Sequence, residues 1–275
     1  MNNSKIRFAD CTLRDGEQAP GVFFTLEEKL AIADLLDAAG VDIIDAGMPS
    51  VSKEERETLA ALVGQKYRAT VAATVRALRS DIDLALECGV TEVFLFMAVS
   101  PQHLKHKFGI DLSQAQHRIE DAVSYAVSRG LRVHFVAEDS VRADPVQLAP
   151  LFDRVSELGV VSAIICDTVG VMTPQKMGKY VRTLRANMKQ PLELGIHCHN
   201  DYGLGTANTL AAVDAGCTLV TSTINGLGER AGNAVFEEVV CALDDLYQAE
   251  LQQYQTGRLS ACLSQSHSYG RQPTC

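Results

Sequence analysis

The chain has 275 residues, 47% of them hydrophobic, and its 34 acidic side chains against 25 lysines and arginines give a formal charge of −9. That balance argues against nonspecific nucleic-acid binding, which needs a basic surface, and no run approaches the roughly 18 apolar residues of a membrane span. With 20 glycines and 8 prolines the composition is that of a packed globular protein, of a length that suits one α/β barrel of about 250 residues.

The opening MNNSKIRFAD holds no apolar stretch of signal-peptide length, so a cytoplasmic location is expected. Short β-rich runs then alternate with helical patterns. IRFADCT is followed by TLEEKLAIADLLDAAG, and VDIIDAG by EERETLAALVG. YRATVAAT, EVFLFMAV and LRVHFVAED come next, the last leading into DPVQLAPLFDRVSELG. SAIICDTVG, LELGIHCHN and LVTSTIN complete the series, before NAVFEEVVCALDDLYQ. Several helices close on a glycine just before the next strand (Gly40, Gly89, Gly130, Gly159, Gly216), where a left-handed residue is easiest for glycine. These eight strand–helix units have strands apolar enough to be covered on both faces. They predict a closed (β/α)8 TIM barrel over residues 1–248 rather than an open doubly wound sheet. Residues 249–275 are polar and weakly periodic, and are expected to form a partly helical, poorly anchored tail. The 8 cysteines include no CxxC pair and sit mostly inside predicted elements, so they read as reduced, buried thiols.

Chemistry concentrates in GIHCHNDYGLGTANTL. Strand residues alternate faces, so His197 and His199 project together toward the barrel axis while Cys198 points to the helical layer. They end a strand on the side where barrel active sites form. Such a pair alone is weak evidence for a metal, but closure supplies partners. Strand one neighbours strand eight, and eight neighbours seven, so Asp15, just past the first strand, can reach both imidazoles. Asn233, in NGLGERAGNA, can add an amide oxygen. Two histidines, a carboxylate and an amide suit Mg, Mn or Zn.

The stretches DCTLRDGEQAPGVFFT, HCHNDYGLGTANTLAAVDAG and NGLGERAGNA resemble the homocitrate synthase and isopropylmalate synthase family, the Claisen-condensing branch of the DRE-TIM metallolyases. The resemblance runs in register over residues 6–248. It implies that an acetyl-CoA methyl carbon adds to the ketone of a 2-oxo acid, with a divalent metal as cofactor and with thioester hydrolysis releasing CoA. It implies Asp15, His197 and His199 as metal ligands, with Asn233 as a fourth, and Gln18 as a substrate hydrogen-bonding group. Arg14 would hold the developing alkoxide, an electrostatic role suited to a guanidinium. Glu138 and Thr168, ending strands five and six, would stand in the 2-oxo acid pocket.

Several positions depart from the family pattern. His134 shares a face with Glu138 at the place where homocitrate synthases acting on 2-oxoglutarate carry an arginine. A histidine is a weaker, pH-dependent anion partner, which argues against 2-oxoglutarate, whereas Arg76, ending strand three, could receive a second acid group. Asp45 stands where the family has a glutamate that positions the arginine. Being one methylene shorter, it is expected to change the alignment by roughly an ångström. The stretch HLKHKFGIDL, with His103, Lys105, His106 and Lys107, could meet a CoA phosphate or a substrate acid on the barrel's open face, but reads rather as a solvated basic loop.

The resemblance also implies a homodimer, and helical subdomains past the barrel that help cover the acetyl-CoA site. This sequence stops at Cys275, inside what resembles the linker to them, and offers no assigned general base. Two alternatives follow. One is a lyase of the 3-hydroxy-3-methylglutaryl-CoA type, against which GLGERAGN replaces the lyases' cysteine-bearing loop. The other is a truncated metal-binding barrel that turns over only with a partner.

Overall fold

In the computed structural model, which describes residues 6–249 together with Leu251 and Tyr254, the apolar runs are parallel strands closed on themselves. They are β1 Arg7–Asp10, β2 Ile43–Asp45, β3 Thr70–Arg76, β4 Glu92–Ala98, β5 Arg132–Glu138, β6 Ser162–Asp167, β7 Glu193–Cys198 and β8 Leu219–Ser222. Each is followed by an outer helix: α1 Leu26–Ala39, α2 Lys53–Val63, α3 Arg79–Glu87, α4 Leu112–Ser128, α5 Pro145–Glu157, α6 Pro174–Asn187, α7 Gly205–Asp214 and α8 Phe236–Asp245. β1 pairs with β8 from Arg7↔Leu219 to Asp10↔Ser222. The fold is therefore a (β/α)8 barrel, and the open sheet is excluded.

Local signals fix the helix ends. Thr25 and Glu28 form a capping box at the start of α1, and Asp111 and Gln114 another at α4. The helix-ending glycines all adopt positive φ, from 83° at Gly89 to 110° at Gly216, a conformation open to glycine at little cost.

Alternation along the strands separates two apolar layers. Ala9, Ile43, Ala72, Phe94, Ile164 and Leu219 fill the barrel's interior, whereas Phe8, Leu36, Phe135, Phe152 and Phe236 lie between strands and helices. Gly195 is required inside, because a Cβ there would stand 2.9 Å from Ile164 Cγ1 and 3.2 Å from the Leu219 carbonyl. Below this layer, at the N-terminal ends of the strands, His134 is fully buried. Its Nε2 meets the Glu92 carboxylate, its Nδ1 meets the Ser162 hydroxyl, and its ring stacks on Phe94.

Tyr254 packs edge-on against Phe8, and its hydroxyl donates to Asp42, so this part of the chain beyond α8 is docked on the barrel. The rest of the expected tail lies outside the described residues. Cys11, Cys88, Cys166, Cys198 and Cys217 are buried free thiols and Cys241 is an exposed one, while Cys262 and Cys275 lie outside the described residues. Among the described residues, no helix is long and apolar enough to cross a membrane.

Asp10 alternates with Ala9 and so faces away from the axis. Its Oδ1 accepts from Thr12 N–H at 2.8 Å, but its buried Oδ2 has no partner, and neither does the hydroxyl of Ser222 beside it. Burial raises the Asp10 pKa to about 7. An acid whose folded pKa is raised contributes stability that is complete below its unfolded pKa, near 3.9, and is lost as the pH rises through the folded value. Asp10→Asn keeps the acceptor for Thr12 and removes the charge. It is expected to raise stability at pH 8 by on the order of 2 kcal/mol and leave it nearly unchanged at pH 4.5, as read by urea unfolding at both pH values.

Candidate active site

A cavity of about 300 Å³ opens at the C-terminal ends of the strands. Its first wall is the turn after β1. Thr12 is tied from both sides, its N–H donating to Asp10 and its Oγ1 accepting from Ile224 N–H beyond β8 at 2.9 Å. This turn delivers Arg14 and Asp15 to the cavity. Arg14 Nε donates to Asp45 Oδ2 at 2.8 Å, and its Nη1 lies 3.2 Å from Asp15 Oδ2. The Thr74 hydroxyl backs Asp45 from β3, at 2.9 and 3.0 Å from its two oxygens. The shorter acid at position 45 thus keeps an ordinary hydrogen bond to Arg14.

Asp15 Oδ2 lies 3.4 Å from His197 Nε2 and 3.9 Å from His199 Nε2, and the two nitrogens are 3.2 Å apart. Thr221 on β8 sets the His197 tautomer. Its hydroxyl proton is directed to the Ile196 carbonyl at 3.0 Å, so its oxygen accepts from His197 Nδ1–H at 2.8 Å. The lone pair of His197 is then on Nε2, facing Asp15. Burial, and then His197, pull the His199 pKa down to about 4, so this imidazole is neutral at physiological pH. Burial opposes ionisation of Asp15, but the Arg14 guanidinium above all outweighs it and holds the carboxyl well below the usual range.

Asn233 completes the cluster from the loop after β8. It forms an isolated bridge with His199, and its Nδ2 donates to the Leu227 carbonyl at 3.0 Å, while its buried Oδ1 has no partner. A Cβ at Gly228 (φ 159°) would stand 2.2 Å from Asn233 Nδ2 and 2.9 Å from Asp15 Oδ1, so this approach demands glycine. A carboxylate, two convergent imidazole nitrogens and an unpartnered amide oxygen are a donor set that fits a divalent cation.

The opposite rim comes from the segment after β4. Ser100 caps a single helical turn, Pro101–His103, which runs on as a turn of π-helix, Leu104–Phe108, a distortion often found at functional sites. Lys107 Nζ and His103 Nδ1 both approach Glu138 Oε1, at 2.9 and 3.2 Å. Glu138 Oε2 is buried without a partner, and the side chain lines the cavity. The stretch read as a solvated basic loop therefore supplies a clamp on Glu138. Thr168 accepts from Asp139 N–H at 2.9 Å, steadying the next peptide, where Asp139 holds φ 61°.

Gln18 and Thr168 line the cavity with Arg14, Asp15, Asp45, Glu138, His197 and His199. Two expected site residues are elsewhere. His134 has the right face but lies too deep, beneath Phe94. Arg76 turns outward at the rim, 52% exposed, where its guanidinium forks onto Asp81 at 2.7 and 2.9 Å. Thr74, Thr221, Lys107 and Arg230 were not legible as site residues, because register or loop conformation creates their contacts.

The family model described as HMGL-like matches residues 5–262. The chain belongs to the HMGL-like family. Among curated HMGL-like relatives, the homocitrate synthase AksA of Methanopyrus kandleri is 46% identical over 238 residues, which are 86% of this chain and 59% of that one. The (R)-citramalate synthase CimA of Methanocaldococcus jannaschii is 45% identical over 242 residues, 88% of this chain and 49% of that one. The chain thus spans between about half and three-fifths of the length of these relatives. The crystal structure of hydroxymethylglutaryl-CoA lyase from Pseudomonas aeruginosa shares the fold, with a TM-score of 0.84 at 24% identity, covering 96% of this chain and 92% of that one.

Arg230 holds three of the mouth's loops together. Its guanidinium donates to the Thr168 carbonyl at 2.6 Å and forks onto Asp201 at 2.7 and 2.9 Å, from a backbone at φ 57°. Arg230→Ala is expected to speed amide exchange over residues 168–171 and 200–204 by about tenfold, with global unfolding little changed, since the cut ties are local. Uniform loss of protection across the strands would contradict this.

Proposed function

We propose that this chain is the catalytic barrel of a metal-dependent acyltransferase that condenses acetyl-CoA with a 2-oxo acid. The observation that carries the reading is the convergence of Asp15, His197 and His199 beside Arg14, in one cavity with the unpartnered Glu138 Oε2, with Asn233 bridged to His199 and its buried Oδ1 without a partner. The synthase names of relatives at 46% and 45% identity support it. The likeness to a lyase, at 24%, shows the barrel alone.

Asp15, His197, His199 and Asn233 would hold a divalent cation, which when bound supplies a Lewis acid for the carboxylate and ketone oxygens of a 2-oxo acid. The remaining work falls to the chain's own groups. Glu138 Oε2, with Oε1 tied down by Lys107 and His103, accepts a proton from the acetyl methyl group. The carbanion carbon bonds to the ketone carbon, and the ketone's π electrons move to its oxygen. Arg14, oriented by Asp45, donates to that new alkoxide. The Gln18 amide and the Thr168 hydroxyl orient the acid on either side. The proton held by Glu138 passes to the alkoxide, leaving Glu138 ionised. Water then attacks the thioester carbonyl, the C–S bond breaks, and a proton from that water goes to the departing thiolate, releasing the CoA thiol.

Thiol release from acetyl-CoA, assayed with Mg or Mn across pyruvate, 2-oxoisovalerate, oxaloacetate and 2-oxoglutarate, tests the reading. Metal-dependent release with at least one acid is expected, and its loss in His197→Ala. Titration with Mn²⁺ tests the cluster independently of turnover. His197→Ala should abolish tight binding, and Thr221→Val, which removes the acceptor for Nδ1–H, should weaken it by about 10- to 100-fold. Unchanged Mn²⁺ affinity in both variants would dismiss the cluster as the metal centre.

A further inference from the structure

The cavity has two chemically different ends. Arg14, Asp15, His197 and His199 gather toward β1, β7 and β8. Toward β3–β6 the walls are Phe94, Phe96, Val136 and Ile164, with the Thr74 hydroxyl and the Cys166 thiol, below Glu138 and Thr168 at the strand ends. Phe94, Ile164 and Cys166 are at most 2% exposed and belong, with Val136 packed on them, to the barrel's inner apolar cluster. Burial pushes the Cys166 thiol well above its ordinary range, so it too is uncharged.

Neither cation expected at this end is there. His134 is fully buried, stacked on Phe94 and engaged by Glu92 and Ser162, and does not line the cavity, while Arg76 turns outward onto Asp81. Lys107 lines the cavity, but from the rim, with its ammonium already on Glu138. The Thr74 hydroxyl is spent on Asp45.

We infer that the 2-oxo acid taken by this chain carries a hydrocarbon side group, and that Phe94, Phe96, Val136 and Ile164 select it against acids bearing a second carboxylate. The inference rests on the acyltransferase reading and names its substrate class. A second carboxylate at this end would give up its hydration for aromatic and aliphatic faces with no counter-charge, which is costly. A hydrocarbon group gains by the same burial. Overall likeness does not decide the matter, since relatives with two different product names stand at 46% and 45% identity.

Calorimetric titration of the full 275-residue chain with Mn²⁺ present tests the inference without requiring turnover. The probes are pyruvate, 2-oxobutyrate, 2-oxoisovalerate, oxaloacetate and 2-oxoglutarate. At least one of the first three is expected to bind tenfold or more tightly than either dicarboxylate. Phe96→Ala should move the preference toward a longer hydrocarbon group without improving the dicarboxylates, and Val136→Arg should narrow or reverse the discrimination. Binding of oxaloacetate or 2-oxoglutarate as tightly as the best monocarboxylate would overturn the inference and leave the acyltransferase reading standing. Lys107→Met would then show whether the rim ammonium had swung inward to meet the second acid. Failure of every acid to bind a folded, Mn²⁺-loaded chain would overturn the acyltransferase reading, and the inference with it.

Discussion

Everything at the mouth of this barrel depends on the seam between β1 and β8. The four paired positions from Arg7↔Leu219 to Asp10↔Ser222 bring the first turn of the chain against its last loops. Across that seam Thr12 accepts from Ile224 N–H, and Asp15 accepts from Glu229 N–H. Asp15 is thereby carried to His197 and His199. In an open sheet the first and seventh strands would not share a mouth, and the same residues would be a loop acid and two strand histidines with no common ligand.

The seam also explains how so many charges tolerate burial. Arg14 loses hydration, but Asp45 and Asp15 more than compensate and raise its pKa. Asp15 in turn is held ionised chiefly by Arg14. The turn carrying them is anchored from outside by Lys29, itself buried, which reaches Glu17 in the turn at 2.7 Å and Glu55 in α2 at 2.8 Å. Buried ion pairs of this kind contribute more to a fixed geometry than to net stability, and a fixed geometry is what an electrostatic site needs.

Much of this was legible in the sequence because the relevant rules are periodic or topological. Alternation assigned His197 and His199 to the axis and Cys198 to the helical layer, and repeated strand–helix punctuation implied closure, which recruited Asp15 and Asn233. Alternation and strand position put His134 inward and deeper than Glu138, but do not tell how completely Phe94, Glu92 and Ser162 enclose it. At a strand's last residue even the face is free, and Arg76 turned to the acid of the following helix. Thr221 and Thr74 matter through register, and Lys107 and Arg230 through irregular loop backbone. No local pattern announces either.

The proposed metal ligands and the proposed side-group wall stand on different strands, although Glu138, the proposed proton acceptor, shares β5 with Val136. Arg14, Asp15, His197 and His199 come from β1, β7 and their loops, whereas Phe94, Phe96, Val136 and Ile164 stand on β4, β5 and β6. Substitutions at Phe94, Phe96 or Ile164 would therefore leave the cation cluster in place, whereas a change at Val136 acts two residues from the carboxylate proposed to take the proton. Three of the four wall positions are thus the ones at which the barrel could be redirected with the least disturbance of its proposed chemistry.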